Sequence, residues 1–552
     1  MRLAKVCGIV LLAGTAAAAG QGNRHGRLAP DLEDLVLSTN GSDLVDIIIQ
    51  GDAAALDALN GDLHRRGGSS RRRLARGLAA TVPVSSVDEL ADTSGIRHIS
   101  LDREVVPTAR LSQADEVMWP DSPSARPHLD GRGVGVAVID SGVATLEGLS
   151  DGAVTASVDF VSPRRGRAAP QPFMADPYGH GTHVAGIIAG RRTGTFSGVA
   201  PGAHVISLRV LDEDGRGQAS DVIAALDWCI ENASLHGLRV VNLSLGQPAV
   251  EPWETDPLAQ AVERAWHAGL VVVTSAGNAG FLGNGFGTIS SPGHDPLVIT
   301  VGAVDGRGTV ERQDDEVAWF SSRGPTRFAA TLKPDLAAPG VGIVSLRVPH
   351  STLDRAMPEA RVSESGRTAF FQMSGSSMAA AAVSGAAALM LSGDPTLTPN
   401  DIKARLMRDA DHGLYGWLHE RGAGALDVTA ALGDRARAAG SVSPFMTEVE
   451  GQVVIAHSAE AWGGSETWSL EQIYGDPASW GEESILIDGF FDDPCLTGEG
   501  LVWQSMSGTG LVWQSMSSAG LVWQSLTANG LVWQSMHDQG LVWQSSVPGC
   551  PF

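Results

Sequence analysis

Ser377, His180 and Asp140 are the residues of this chain whose settings suit nucleophilic chemistry. Ser377 stands in Ser374-Gly375-Ser376-Ser377-Met378, just ahead of the alanine run Ala379 to Ala382. Alanines favour helix, and the small residues before them suit a tight turn entering it. A serine at such an entry meets unpaired backbone N–H groups and the positive end of the helix dipole, a place that stabilises a newly formed oxyanion. A lone serine is a poor nucleophile; without a base and an orienting acid it merely caps a buried, alanine-rich helix. Asp140 ends the apolar run Val134 to Ile139, which reads as a buried strand of a parallel sheet with a carboxylate at its carboxyl end. Active sites of open α/β sheets collect at that end. His180 opens Gly179-His180-Gly181-Thr182-His183-Val184-Ala185-Gly186, the start of a small-residue helix. Each residue alone has a structural reading, since an Asp after a strand often caps a helix and a His is often a satisfied core residue. In the order Asp, His, Ser they match one of the convergent chain orders of an acyl-transfer triad.

The elements that must position these residues are legible as patterns. From Asp130 onward strands and helices alternate, as expected for an α/β fold with a parallel β-sheet flanked by helices. Strands are expected over 205–210, 238–245, 270–275 and 297–301. Helices are expected over 219–232 and from Thr398-Pro399, where Thr can cap and Pro suits the first turn, to about Asp409. Residues 24–106 form a separate small α+β unit: strands at 44–49, 77–84 and 96–99, helices at 53–63 and 87–92, and the basic cluster Arg71-Arg72-Arg73 between them. After a linker near 434–443, residues 444–499 read as β-rich. Gly-Leu-Val-Trp-Gln-Ser then recurs at Gly500, Gly510, Gly520, Gly530 and Gly540, five ten-residue repeats over 500–545. Apolar and polar residues alternate there as in short strands. The tryptophans are buried in a compact β array, face a glycan or partner surface, or belong to a sticky unfolded tail.

At 552 residues with a formal charge of −23, the chain is long enough for several domains and a poor match for nucleic acid or an anionic membrane surface. Arg2 and Lys5 precede the apolar stretch Val6 to Leu12, and Ala16 to Ala19 offer small residues for cleavage. Residues 1–19 therefore read as a signal peptide, too short in its apolar core for a membrane span, and a secreted protein is expected, extracellular or associated with the cell surface. No later stretch is long and apolar enough to cross a bilayer. Cys229 falls in the helix expected over 219–232 and reads as a buried thiol. Cys495 and Cys550 bracket the repeats and are the disulfide candidate in an oxidising compartment. No Cys or His pair has convincing zinc-ligand spacing, so no metal site is assigned.

Val138-Ile139-Asp140-Ser141-Gly142, His180 to Gly186 and Gly375-Ser376-Ser377-Met378-Ala379 resemble the three signature blocks of the subtilisin-like serine proteases. The similarity runs over roughly 134–432. Ser376 stands where the family usually has Thr, and Ala381-Ala382 where it has Pro-His. The resemblance implies a catalytic domain over 127–433 and an inhibitory propeptide over 24–106 closed by the 96–105 segment. Processing is expected somewhere in 105–126. It implies the roles too: Ser377 as nucleophile, His180 as base, Asp140 as its orienting acid, and Asn278 with the Ser377 N–H as oxyanion hole. Ser244, Leu245, Gly246, Ser275, Ala276 and Gly277 resemble the walls of the pocket before the scissile bond, where small residues leave room for a bulky apolar side chain. His183 is expected to be structural. The chemistry needs no cofactor. Calcium is common in the family, but acidic surface loops explain Asp212-Glu213-Asp214 and Asp314-Asp315-Glu316 equally well. The expected partners are protein or peptide substrates and the chain's own propeptide. Two other readings stand beside a broad secreted endopeptidase: a surface adhesion protein with an incidental protease-like domain, and a peptidyl ligase using the same triad in reverse.

Overall fold

The computed structural model describes residues 26–109, 129–161 and 175–456, except 40, 150–151, 195, 283–286, 310, 330, 365–366, 439, 441–442 and 450–451, together with 526–527 and 530–531. The signal-like stretch, Cys495, Cys550 and nearly all of the repeats lie outside the described residues. The chain divides into two units, at Leu101 and Asp102.

In the first unit, β1 (Leu44–Gly51), β2 (Ser69–Leu74), β3 (Gly77–Pro83) and β4 (Ile96–Leu101) form an antiparallel sheet in the order β2-β3-β1-β4. Helices Ala53–Asp62 and Val87–Ala91 lie where the pattern predicts them. Ile47, Ile49, Leu56, Leu78, Leu90 and Ile99 share one core. Two elements were not legible. Helix Pro30–Ser38 buries only Leu32, so its periodicity is faint. The basic cluster lies in β2, an edge strand, where charge blunts an exposed row of backbone groups. Arg71 pairs there with Asp46 at 3.0 Å.

The second unit opens with β5 (Glu104–Pro107), distinct from β4, so the expected 96–105 closing strand is two strands. Its further strands include β6 (Gly135–Asp140), β7 (Val154–Asp159), β8 (His204–Arg209), β9 (Gly217–Gln218), β10 (Leu238–Leu243), β11 (Leu245–Gly246), β12 (Val271–Ser275), β13 (Ile299–Asp305), β14 (Glu316–Val317) and β15 (Leu336–Pro339). Eight of them form one sheet in the order β14-β13-β12-β10-β6-β8-β7, with β15 also on β13. Every pairing is parallel except β13 with β14. All residues of β6 and β12 are buried, as strands covered on both faces must be, which is why each opens on an apolar run before its polar carboxyl end. Because β6, β10 and β12 are neighbours, Asp140, Ser244 and the turn after Ser275 emerge along one edge of the sheet.

Helix Ser376–Gly393 packs against β10, β12 and β13. Contrary to the sequence reading, this one helix among the described residues is long and apolar enough to cross a membrane; its apolar length reflects burial on all sides in the core of this unit. Helix Ala219–Asn232 matches its expected bounds, and Cys229 on it is fully buried. Helix Pro399–Arg408 carries a reciprocal cap between Thr398 and Asp401.

Candidate active site

Asp140, at the end of β6, and His180, the first residue of helix His180–Ala189, are both fully buried. His180 Nδ1 lies 2.8 Å from both carboxylate oxygens of Asp140. Glycine makes this approach possible. A Cβ on Gly181 would sit 2.2 Å from the Gly142 carbonyl oxygen and 3.1 Å from Asp140 Cβ.

A buried carboxylate that the sequence reading missed ties the two residues together. Asp176 accepts from Ser141 Oγ at 2.8 Å and Gly179 N at 2.7 Å on one oxygen. Its other oxygen accepts from Thr182 N at 2.8 Å and Thr182 Oγ1 at 2.7 Å. Ser141 Oγ in turn accepts from Gly181 N at 3.0 Å. The loop after Asp140 and the first turn of the His180 helix are thereby bound to one anchor. Burial pushes the Asp176 carboxyl up, and the four donated hydrogen bonds pull it back. Its only signal in the sequence was proximity, four residues before His180.

His183 is buried, with Nε2 2.9 Å from the Phe371 carbonyl oxygen. Burial, with His180 close by, lowers it from 6.5 to about 3, so it stays neutral.

Ser377 lies in the first turn of its helix. Its Oγ donates to the Ser244 carbonyl oxygen at 3.0 Å and lies 2.9 Å from Thr108 Oγ1. Among the described residues His180 Nε2 has no hydrogen-bond partner, so no hydrogen bond joins the serine to the imidazole. Asn278 follows β12. Its Oδ1 accepts from Ser376 N and from Ser376 Oγ, each at 3.0 Å. That pair of donors orients the amide so that Nδ2 points away, to the Thr108 carbonyl oxygen at 2.6 Å. Ser377 N donates to the same oxygen at 3.2 Å. Gly375, at φ +149°, leaves the space open: a Cβ there would lie 2.4 Å from that oxygen. Ser376, which in sequence differs from the family pattern only as Ser in place of Thr, uses its hydroxyl and amide to set the Asn278 side chain.

Thr108 thus sits with its carbonyl oxygen between two donors, and the chain before it lines the cleft. β5 lies between β11 and β9, antiparallel to both. Pro107 pairs with Leu245, Val106 with Gly246 and Val105 with Gly217. Thr108 N donates to the Ser244 carbonyl oxygen at 3.2 Å, which explains why the strand expected over 238–245 breaks at Ser244. Thr108 Oγ1 donates to Ser275 Oγ at 2.5 Å. Ala276 is buried beside Ser275, and Gly277 N donates to Ser376 Oγ at 3.1 Å. Of the six expected pocket residues, Ser244, Leu245 and Gly246 meet the backbone of β5 and Thr108, Ser275 meets the Thr108 side chain, and Ala276 and Gly277 follow Ser275 in the turn after β12. Among the described residues no three His, Cys, Asp or Glu side chains converge as a metal would need. Asp212 Oδ1 instead accepts from the amides of Asp214 and Arg216.

A model of the subtilase family matches residues 131–424. Serine protease AprX of Bacillus subtilis (strain 168) is 38% identical over 356 residues, covering 61% of this chain and 76% of that one. Subtilisin DY of Bacillus licheniformis is 34% identical over 303 residues, covering 54% and 91%. Among solved structures, fervidolysin from Fervidobacterium pennivorans, a keratinolytic enzyme related to subtilisin, aligns with a TM-score of 0.58 at 22% identity, over 78% of this chain and 69% of that one. That likeness concerns the α/β fold with its mainly parallel sheet flanked by helices.

Proposed function

Since the chain belongs to the subtilase family and is a serine-type endopeptidase, we propose that it is made as a precursor that cuts its own Thr108–Ala109 bond, using Asp140, His180 and Ser377 as its triad. The observation that carries this reading is the Thr108 carbonyl oxygen, 2.6 Å from Asn278 Nδ2 and 3.2 Å from Ser377 N, at the end of a strand paired on both edges. Two donors aimed at one carbonyl oxygen are the arrangement that holds a tetrahedral oxyanion.

The steps follow from these positions. Ser377 Oγ leaves the Ser244 carbonyl, turns to His180 Nε2 and is deprotonated as it attacks the Thr108 carbonyl carbon. Asp140 holds the proton on Nδ1 and stabilises the imidazolium. Asn278 Nδ2 and Ser377 N take the oxyanion. His180 Nε2 gives its proton to the Ala109 amine, which leaves, and water then hydrolyses the acyl-enzyme by the same path. Subtilases need no cofactor for this catalysis.

After processing, residues up to Thr108 act as the propeptide, and their tail holds the cleft as a product. Protein substrates then add as an extended strand between β11 and β9. Backbone pairing makes their selection broad. The small walls at Ser275, Ala276 and Gly277 suit a bulky apolar residue before the cut, and the chain's own Thr108 is accepted through Ser275. The pattern over 1–19 supports secretion. The test is to express the whole chain and the Ser377→Ala variant and to sequence the new N-terminus. Cleavage before Ala109 in the first and an uncut Ser377→Ala chain are expected. Identical processing in both, or a first cut elsewhere, would overturn the reading.

A further inference from the structure

We infer that Glu251 forms the floor of a distal subsite that selects an arginine at the sixth residue upstream of the cut bond; this rests on the Thr108–Ala109 reading above. Counting back from Thr108, that sixth residue is Arg103. Its guanidinium Nη1 lies 2.6 Å from Glu251 Oε1, with the Arg103 side chain 8% exposed and Glu251 fully buried.

The pair is built on both sides. The Arg103 carbonyl oxygen accepts from Ala219 N at 2.9 Å, at the start of helix Ala219–Asn232. The Asp102 carboxylate beside it accepts from Ser220 N at 2.9 Å and Ser220 Oγ at 2.7 Å. The backbone at Arg103 is thereby fixed, and its side chain reaches Glu251 from a set point. Glu251 is carried on a loop pinned at both ends. Gln247 and Ser291 exchange backbone hydrogen bonds of 3.0 and 2.9 Å, and Asp256 caps helix Pro257–His267. A carboxylate held in place and out of water discriminates strongly between a cation and a neutral group. By contrast, Glu104 and Arg216, 2.9 Å apart, stand 49% and 64% exposed, and a rim pair of that kind selects little.

Departure of the cut propeptide tail from the cleft takes the Arg103 guanidinium away from Glu251. A substrate with arginine at the same position restores the pair; one with a neutral residue leaves the buried carboxylate without that cation. Only substrates long enough to run past β9 gain from the subsite, so it adds selectivity for extended chains beyond the paired strand itself.

The experiment uses the processed enzyme and synthetic peptides of the chain's own 102–113 sequence, with arginine, lysine or glutamine at the position of Arg103. Wild type should favour the arginine peptide over the glutamine peptide by about tenfold or more in kcat/KM, chiefly through KM. In Glu251→Gln the ratio of the two should fall to near one. Equal kcat/KM for arginine and glutamine in wild type, or a ratio that survives in Glu251→Gln, would overturn the subsite. Should Glu251→Gln fail to fold, the wild-type ratio alone decides. If wild type cuts every peptide equally well, the subsite falls while the endopeptidase reading stands; if the bond matching Thr108–Ala109 is never cut, the reading beneath it falls.

Discussion

Ser376→Ala isolates one link between fold and chemistry, the orientation of the Asn278 amide. The Ser376 hydroxyl lies 3.0 Å from Asn278 Oδ1 and 3.1 Å from the Gly277 carbonyl oxygen, and as a donor it serves one of them at a time. Alanine deletes that donor but leaves Ser376 N on Asn278 Oδ1 at 3.0 Å. The amide keeps half of its tether. A neutral hydrogen bond of this kind contributes about 1 kcal/mol net, which corresponds to roughly a fivefold fall in kcat if it acts in full on the oxyanion. The ceiling is loss of the whole donor, on the order of 10²–10³ in kcat, the magnitude measured in subtilisin for its oxyanion-hole asparagine. Steady-state kinetics on a peptide substrate should show kcat reduced about three- to tenfold, KM unchanged, and recovery in Ser376→Thr, which restores the hydroxyl. The decisive measurement is a double-mutant cycle with Asn278→Ala. Once the amide is gone its orientation is irrelevant, so Ser376→Ala should cost nothing further. An undiminished penalty in the Asn278→Ala background would refute the reasoning, as would a rise in KM at constant kcat.

Two further changes probe the scaffold, both measured in a Ser377→Ala background to prevent self-digestion. Asp176→Asn turns one carboxylate oxygen into an NH₂ facing at least one buried backbone N–H, either that of Gly179 or that of Thr182. The expected loss is about 2 kcal/mol, roughly 3 °C in Tm for a unit of this size, and an unchanged melt would remove Asp176 from its anchoring role. Burial, and Asp314 beside it, raise the Asp315 carboxyl from 3.8 to about 6. The folded value lies above the unfolded one, so the stabilising contribution is complete below about pH 4 and is lost as pH rises through 6. Asp315→Asn should therefore stabilise the protein at pH 8 by about 1 kcal/mol, after allowing for the group's exposure, and hardly at pH 4. Equal effects at the two pH values would contradict this sign.

What could be read from the sequence is what local physics determines. β6 and β12 are buried on both faces, so the runs Val136–Ile139 and Val271–Val273 are apolar without interruption and announce themselves. Thr398-Pro399 marks a helix start because a cap and a fixed φ act within a few residues, and the reciprocal Thr398–Asp401 bonds are the result. Asp140 and His180 stand out because each ends or begins such an element. Ser376 and Asp176 did not, since a serine or an aspartate in a turn has the same local propensity whether it faces solvent or orients another side chain. Their roles arise only when residues 98 positions apart, as for Ser376 and Asn278, or 35 apart, as for Asp176 and Ser141, are brought together.

The cleft shows the same limit in a stronger form. β9 and β11 have two residues each, and no periodicity can be read from two residues. They are strands because β5 lies between them and supplies the partner for each ladder. Gly217 and Gly246 face that partner; at Gly217 a Cβ would come within 3.0 Å of Val105 Cγ2. The segments on either side of the cleft are therefore half of a sheet whose centre is whatever extended chain occupies it, which here is the stretch ending at Thr108. A site of this design is specified by the backbone groups it leaves to be paired, and side chains refine the choice only where one reaches a fixed partner, as Thr108 reaches Ser275 and Arg103 reaches Glu251. On the proposed reading, breadth along the strand and selectivity at its two ends would both follow from this construction.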